Sequence, residues 1–425
     1  MVLAVSRWRS TLVASWLAQI CSTIGFAMCI PFLPPFVREL GIHDAKAVLV
    51  WSGWLSTAAG VVMAITAPMW GTLADRHGRK LMVMRSMFGS VLVLAGMAYV
   101  HNVNQLLVLR MMQGLLSGTV AASVALISSV VPTRRAGFAL GLMHTATYIG
   151  NSFGPGIGGQ LAFSYGLRLP FVYAAGALLV GGLLTSFFVR EDFDPGEMEA
   201  DGAEAVTLWQ MLRLNGFITM AGLLFAVMFA GSFVGPILPL YIEQLSGGAA
   251  GAATKLTGYI LMLGGVAAAI SATILGRLGD RLGYGRVLFI CTLLTGLTLI
   301  PHAYVHNTSQ LLFWRLLTSF AGAGTIPATN ALIRHIVPRH ACGKAFGLTQ
   351  TLSCLGWGFG PLVGGTLAAE FGMAMPFLVV GIGFVAIAAG VAFTMPGVMR
   401  HVAASIASEE GEDRELECKG DFAEG

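Results

Sequence analysis

The chain has 425 residues, of which 56% are hydrophobic and 11% charged, with a formal net charge of +4. Soluble domains carry about 25% charge, so this composition, with a mean hydropathy of +0.76, excludes an ordinary water-soluble domain and points to a polytopic membrane protein. The basic residues are scattered over short polar segments rather than gathered in one patch, which argues against nucleic-acid binding.

Apolar runs long enough to span a bilayer fall at 12–36, 50–71, 81–100, 105–130, 137–163 and 169–189. Arg7 and Arg9 precede the first run in the manner of a signal peptide, but the run is too long for one and no small-residue cleavage site follows. A polar stretch rich in Asp and Glu reads as a solvated linker over 191–212. Six more runs follow at 214–242, 255–276, 286–305, 310–333, 344–369 and 374–396. The chain thus divides into a six-helix half (1–190), the linker, a second half (213–399) and an acidic, disordered tail (400–425). With twelve spans, 19 Lys and Arg residues collect on the side of both termini and only Arg38, Lys46, Arg168 and Lys255 on the other. The positive-inside rule then makes the termini cytoplasmic. The six cysteines lack CxxC spacing and mostly lie in apolar runs, so they read as small core residues.

The halves repeat. Pro31, Pro34, Gly71, Asp75 and Arg110 match Pro236, Pro239, Gly276, Asp280 and Arg315 at an offset of 205. Pro132, Gly141, Pro155 and Pro170 match Pro338, Gly347, Pro361 and Pro376 at 206. Parallel repeats of this kind place a binding site near the bilayer midplane, between the halves.

Three segments carry most of the chemistry. The densest polar cluster of the first half is Gly71-Thr72-Leu73-Ala74-Asp75-Arg76-His77-Gly78-Arg79-Lys80. Its glycines suit a tight turn between helix ends, and Asp75 is a carboxylate at the membrane edge, where a helix N-terminus is its favourable partner. Arg110 lies within an apolar run; burying a guanidinium costs at least about 3 kcal/mol on insertion scales, so it must face the bundle. Gly150, Gly154 and Gly158 recur every fourth residue along one helix face, with Pro155 adding a kink. Gly356, Gly360, Pro361, Gly364 and Gly365 repeat this seam. Both seams are expected to be bending surfaces between the halves.

These segments resemble the major facilitator superfamily, and within it the twelve-span drug:proton antiporters. Residues 71–80 resemble the superfamily signature between helices 2 and 3, and LLVLRMMQG (106–114) the helix 4 motif. GNSFGPGIGG (150–159) resembles the helix 5 antiporter motif, and GFAMCIPFLP (25–34) the helix 1 motif of drug exporters. The run 51–86 is most similar to one subgroup of multidrug exporters. The resemblance implies an all-α membrane protein of the major facilitator fold, with 12 transmembrane helices in two six-helix bundles. It implies that Asp75 latches onto the start of helix 11, near Lys344, and that Arg110 takes part in proton handling. Arg79 belongs to the same gating cluster, and Asp280 and Arg315 are the second copies.

The sequence departs from that pattern in having no Asp or Glu at a membrane centre. Proton carriage then falls to Asp75, Glu243 or His144, and neutral, zwitterionic or anionic substrates fit better than lipophilic cations. The expected cavity wall is Gln19, Phe26, Met28, Gln113, His144, Tyr148, Asn151, Phe233, Asn330, Gln350 and Trp357. No phosphate-cradling GxxxxGK[ST] occurs, the histidines do not cluster as metal ligands, and no nucleophile arrangement can be argued, so neither ATP, metal, cofactor nor enzymatic chemistry is expected. The expected activity is proton-coupled export of small amphipathic compounds, with the substrate, protons and membrane lipids as partners, by a monomer in a bacterial inner membrane. The alternatives are a dedicated metabolite or siderophore exporter, and a non-transporting membrane sensor.

Overall fold

Inside a bilayer an apolar chain must satisfy its own backbone groups, and the helix does so within one segment. The computed structural model describes residues 2–191, 217–248, 250–337 and 342–393, and every regular element among them is helical. The linker beyond Glu191 and the acidic tail lie outside these residues, as do the side chains of Asp75, Asp280 and Lys344.

In chain order the first half comprises α1 (Val2–Cys29), α2 (Leu33–Glu39), α3 (Ala45–His77), α4 (Arg79–Ala98), α5 (Val103–Leu116), α6 (Thr119–Val130), α7 (Thr133–Tyr165) and α8 (Leu169–Phe188). The second comprises α9 (Phe217–Phe233), α10 (Leu238–Leu245), α11 (Ala250–Leu282), α12 (Tyr284–Leu299), α13 (Thr308–Gly322), α14 (Thr325–Ile336), α15 (Cys342–Phe371) and α16 (Met375–Phe393). Among the described residues, eleven helical segments are long and apolar enough to cross a membrane. The expected run 137–163 is not one of them, because its Gly, His, Asn and Ser residues dilute it. It nevertheless forms α7, whose 33 residues reach about 50 Å.

Several expected spans are interrupted. Pro31 turns the end of the first into a 3-10 segment, Ile30–Phe32, before α2. The fourth breaks at Ser117 and Gly118, which has φ 114°. The tenth breaks at Ala323 and Gly324. Apolar composition runs through these breaks, so a hydropathy reading passes over them. The charged cluster at 71–80 is less a loop than a helix end. α3 continues to His77, and Gly78 alone (φ 91°) separates it from α4. Gly283 (φ 87°) does the same between α11 and α12. Gly71, by contrast, sits in α3 with open space beside it and makes no turn.

Each half packs around its own helices. α1 lies against α7 and α8, and α9 lies against α15. The halves meet along two seams, α3 with α15 and α7 with α11. Below, the end of the bundle carrying the α3–α4 junction is the junction side, and the opposite end is the far side.

Candidate functional site between the halves

The two seams are close in their far-side portions. In one, Gly60 of α3 meets Gly358 of α15, and Gly53 meets Pro361 and Leu362; Thr57 Oγ1 donates to the Gly358 carbonyl at 2.6 Å. In the other, Gly159 of α7 meets Gly258 of α11, and Ser152 meets Gly265. Tyr259 donates across it to Gln160 Oε1 at 3.3 Å. Removing side chains at these positions lets backbones approach, which is how helices gain contact in lipid.

Of the glycines expected to face the other half, Gly365 does, against Leu49 of α3, but most do not. Gly150, Gly154 and Gly158 press on Thr23, Ile24, Ala27 and Met28 of α1, within their own half. Gly356, Gly360 and Gly364 likewise press on α9, at Phe225, Phe229 and Phe233. The inter-half contacts use the neighbouring face of each helix. Other members of the motifs reach across: the Pro155 carbonyl faces Gly258 and that of Pro361 faces Gly53, while Gly156 meets Met262, Gly159 meets Gly258 and Gly365 meets Leu49.

Toward the junction side the second seam parts. A cavity of about 730 Å³ opens there, walled by His144, Tyr148, Ser152 and Phe153 of α7, Ile270 and Thr273 of α11, and Pro327 and Asn330 of α14. A smaller pocket of about 190 Å³ lies nearer the far side, on the inter-half axis, between Pro31, Ser52 and Ser56 of one half and Ser232, Arg315, Trp357 and Pro361 of the other. No carboxylate lines either space among the described residues.

Of the expected cavity residues, His144, Tyr148 and Asn330 share the larger cavity and Trp357 lines the smaller pocket. Met28 and Phe233 are instead core residues, and Phe26 packs half-buried against the same core. Gln19 is buried with both amide atoms unpaired among the described residues. Asn151 is exposed outside both spaces, and Gln350 is exposed on α15, donating to Cys354 Sγ. These departures share one cause: polarity in a span marks a helix face turned from lipid, without distinguishing cavity from helix–helix contact.

The two embedded arginines differ. Arg110 is 3% exposed. Its Nε donates to the Leu55 carbonyl at 3.1 Å and its Nη1 to Gln113 Oε1, so both residues serve helix packing rather than the cavity. Arg315 is partly open to the smaller pocket, and its Nε is buried without an acceptor among the described residues.

At the far side Arg38 Nη1 contacts Glu243 Oε2 at 2.6 Å, joining α2 to α10 across the halves. Glu243 is one of the expected proton carriers, whereas Arg38 carries no expected role. The signal was available, since the two residues are 205 positions apart, the offset of the internal repeat. A second unforeseen residue is Glu191. Its carboxylate accepts from the backbone N–H groups of Arg79 (2.9 Å) and Lys80 (2.7 Å), capping α4 at the charged junction. Arg79 Nη1 turns to the Ala125 carbonyl at 3.4 Å. Arg85 lies inside α4 over the Trp70 ring, 3.4 Å from its centroid, and reaches the Ser117 carbonyl at the α5 terminus.

The Major Facilitator Superfamily model matches residues 15–272 and 223–417. The multidrug resistance protein MdtG of Salmonella arizonae is 35% identical over 374 residues, covering 88% of this chain and 92% of its own. MdtG of Escherichia coli O17:K52:H18 is 36% identical over 374 residues, covering 88% and 91%. Among solved structures, a D-xylose–proton symporter superposes with a TM-score of 0.75 at 16% identity, over 91% of this chain and 97% of its own. The human organic anion transporter MFSD10 (TETRAN) superposes with 0.68 at 18%, over 90% and 99%. Two bundles joined along paired glycine seams, the internal repeat and these matches converge: the chain is an integral membrane protein that belongs to the major facilitator superfamily, in its MdtG-like group.

Proposed function

We propose that the chain is a proton-coupled secondary transporter that exports small amphipathic compounds, of the multidrug-efflux kind, by alternating access. The observation that carries this reading is an asymmetry between the halves: both seams are closed at the far side, and the α7–α11 seam parts toward the junction side around a mostly apolar cavity. Such an arrangement suits a state that loads substrate from the junction side. Rocking the halves about the glycine contacts would close that side and part the other.

The basic residues near the junction side support placing it, with both termini and the linker, in the cytoplasm of a bacterial inner membrane. Similarity to proteins named for multidrug resistance supports export rather than uptake. Asp75 and Asp280 are proposed to latch the cytoplasmic side, with Arg79 beside them. The proposed proton carriers are Asp75, Glu243 and His144; support comes from His144 lining the cavity and Glu243 sitting in the far-side ion pair. The protein is proposed to act as a monomer.

The test is transport by purified protein in proteoliposomes of defined orientation. A pH gradient is expected to drive accumulation of amphipathic dyes, with proton flux in the opposite direction. Dye movement indifferent to the gradient would replace the antiporter with a facilitator. Asp75→Asn is expected to cripple transport without loss of membrane insertion.

A further inference from the structure

We infer that Arg315 binds the anionic group of transported compounds, a carboxylate or similarly compact oxyanion, in the small pocket between the halves. The inference rests on the export reading and names a substrate class for it.

The starting point is the contrast between two arginines that the repeat makes equivalent. Arg110 directs Nε to the Leu55 carbonyl and Nη1 to Gln113, leaving only Nη2 without a partner among the described residues. In the second half Gln113 is replaced by Thr318, whose hydroxyl is engaged by the Trp314 carbonyl and by Thr298. The side-chain acceptor that the first arginine uses is therefore missing from the second. Among the described residues Arg315 makes no hydrogen bond or ion pair, and both ion pairs that do form, Arg38–Glu243 and Arg168–Glu39, involve other groups. An ionised guanidinium removed from water without a counter-charge carries a penalty of several kcal/mol. A protein retains such a group at a membrane-buried position where a partner arrives from outside.

The pocket is shaped for that partner. It touches both halves, so a ligand in it reports to both. Ile30, Leu261 and Trp357 supply apolar walls, which strengthen any charge–charge contact by excluding water. Ser56 lines it as well, and its hydroxyl has no acceptor among the described residues, leaving it able to donate to the same anion. A volume of about 190 Å³ suits the charged end of an amphipathic molecule, with the apolar remainder extending toward the junction side.

The test uses the full-length protein in phosphatidylcholine nanodiscs near neutral pH, with 1-naphthoate and its neutral isostere 1-naphthamide as probes. Naphthoate is expected to bind more tightly by about ten-fold or more, the ratio that one charge-assisted hydrogen bond supplies. Arg315→Gln is expected to abolish this preference while naphthamide affinity stays within about two-fold, a change of under half a kcal/mol. Arg315→Lys is expected to retain part of it, because the charge survives but the planar fork does not. A wild-type protein that fails to bind naphthoate, or binds both probes equally, overturns the inference, as does a preference that persists in Arg315→Gln. Displacement by phosphatidylglycerol without discrimination between the two probes would assign the pocket to a lipid headgroup and overturn it too. Efflux of a neutral dye by wild-type protein reports separately on the export reading; its absence beside an intact naphthoate preference would remove that reading and leave the anion site standing.

Discussion

At the scale of single residues, the same side-chain type does opposite work depending on what its neighbours satisfy. Arg110 is a structural rivet: with its guanidinium gone, buried Gln113 loses its side-chain donor and the Leu55 carbonyl keeps only its helical hydrogen bond. Arg110→Gln is therefore expected to cost about 3 kcal/mol or more, two charge-assisted hydrogen bonds' worth, and to show as a low yield of folded protein and a lowered thermal midpoint in detergent. Glu191 makes a smaller and cleaner case. It holds two of the free N–H groups that open α4. Glu191→Ala is expected to lower stability by about 1 kcal/mol, the usual worth of a helix cap, with Glu191→Gln losing less; calorimetric unfolding in detergent would measure both. Sequence alone could place neither role. The α4 cap comes from 112 residues away, and the partners of Arg110 lie on its own helix and on α3. What the sequence did expose was the presence of a charge in a greasy run, which is a statement about cost and not about partners.

At the scale of helices, glycine spacing is the feature read most faithfully and interpreted least well. The face carrying Gly150, Gly154 and Gly158 exists and is tightly packed, but against α1 rather than the opposite half. Periodicity names a face, while the partner depends on how the whole bundle is threaded. The breaks at Gly118 and Gly324 were illegible for a related reason: hydropathy averages over a window longer than the two-residue interruptions. These contacts separate two outcomes of one chemical change. At Gly158 an added Cβ would fall on the Met28 carbonyl oxygen, which is backbone and cannot yield. At Gly176 of α8 it would meet nothing within 4 Å. Gly158→Ala is expected to force α1 and α7 apart and to lower the thermal midpoint of the purified protein. Gly176→Ala is expected to be neutral or to stabilise by up to about 1 kcal/mol through helix propensity alone. Equal midpoints for the two variants would show that the α1–α7 contact is looser than the geometry states.

At the scale of the molecule, the question is what holds the far side shut while the junction side is parted. Backbone contact along the glycine seams supplies most of the surface, but packing against glycine has little directional preference. The Arg38–Glu243 pair adds it, because it spans the halves at positions the repeat makes equivalent, one basic and one acidic. The side chains are 30% and 18% exposed, so water screens the attraction and its worth is about 1 kcal/mol. That shifts a two-state equilibrium about five-fold: enough to bias the resting state without locking it. Single reversals, Arg38→Glu or Glu243→Arg, place like charges together and are expected to favour the state open on the far side. The double reversal restores the attraction with its polarity inverted and is expected to restore the closed state. Spin labels at His43→Cys and Gln244→Cys in a cysteine-free background would read the distance across the far side directly. Longer distances in both single variants, with recovery in the double, are the expected pattern. Failure of the double reversal to recover would mean that the seam glycines close this side unaided and that the ion pair only decorates it.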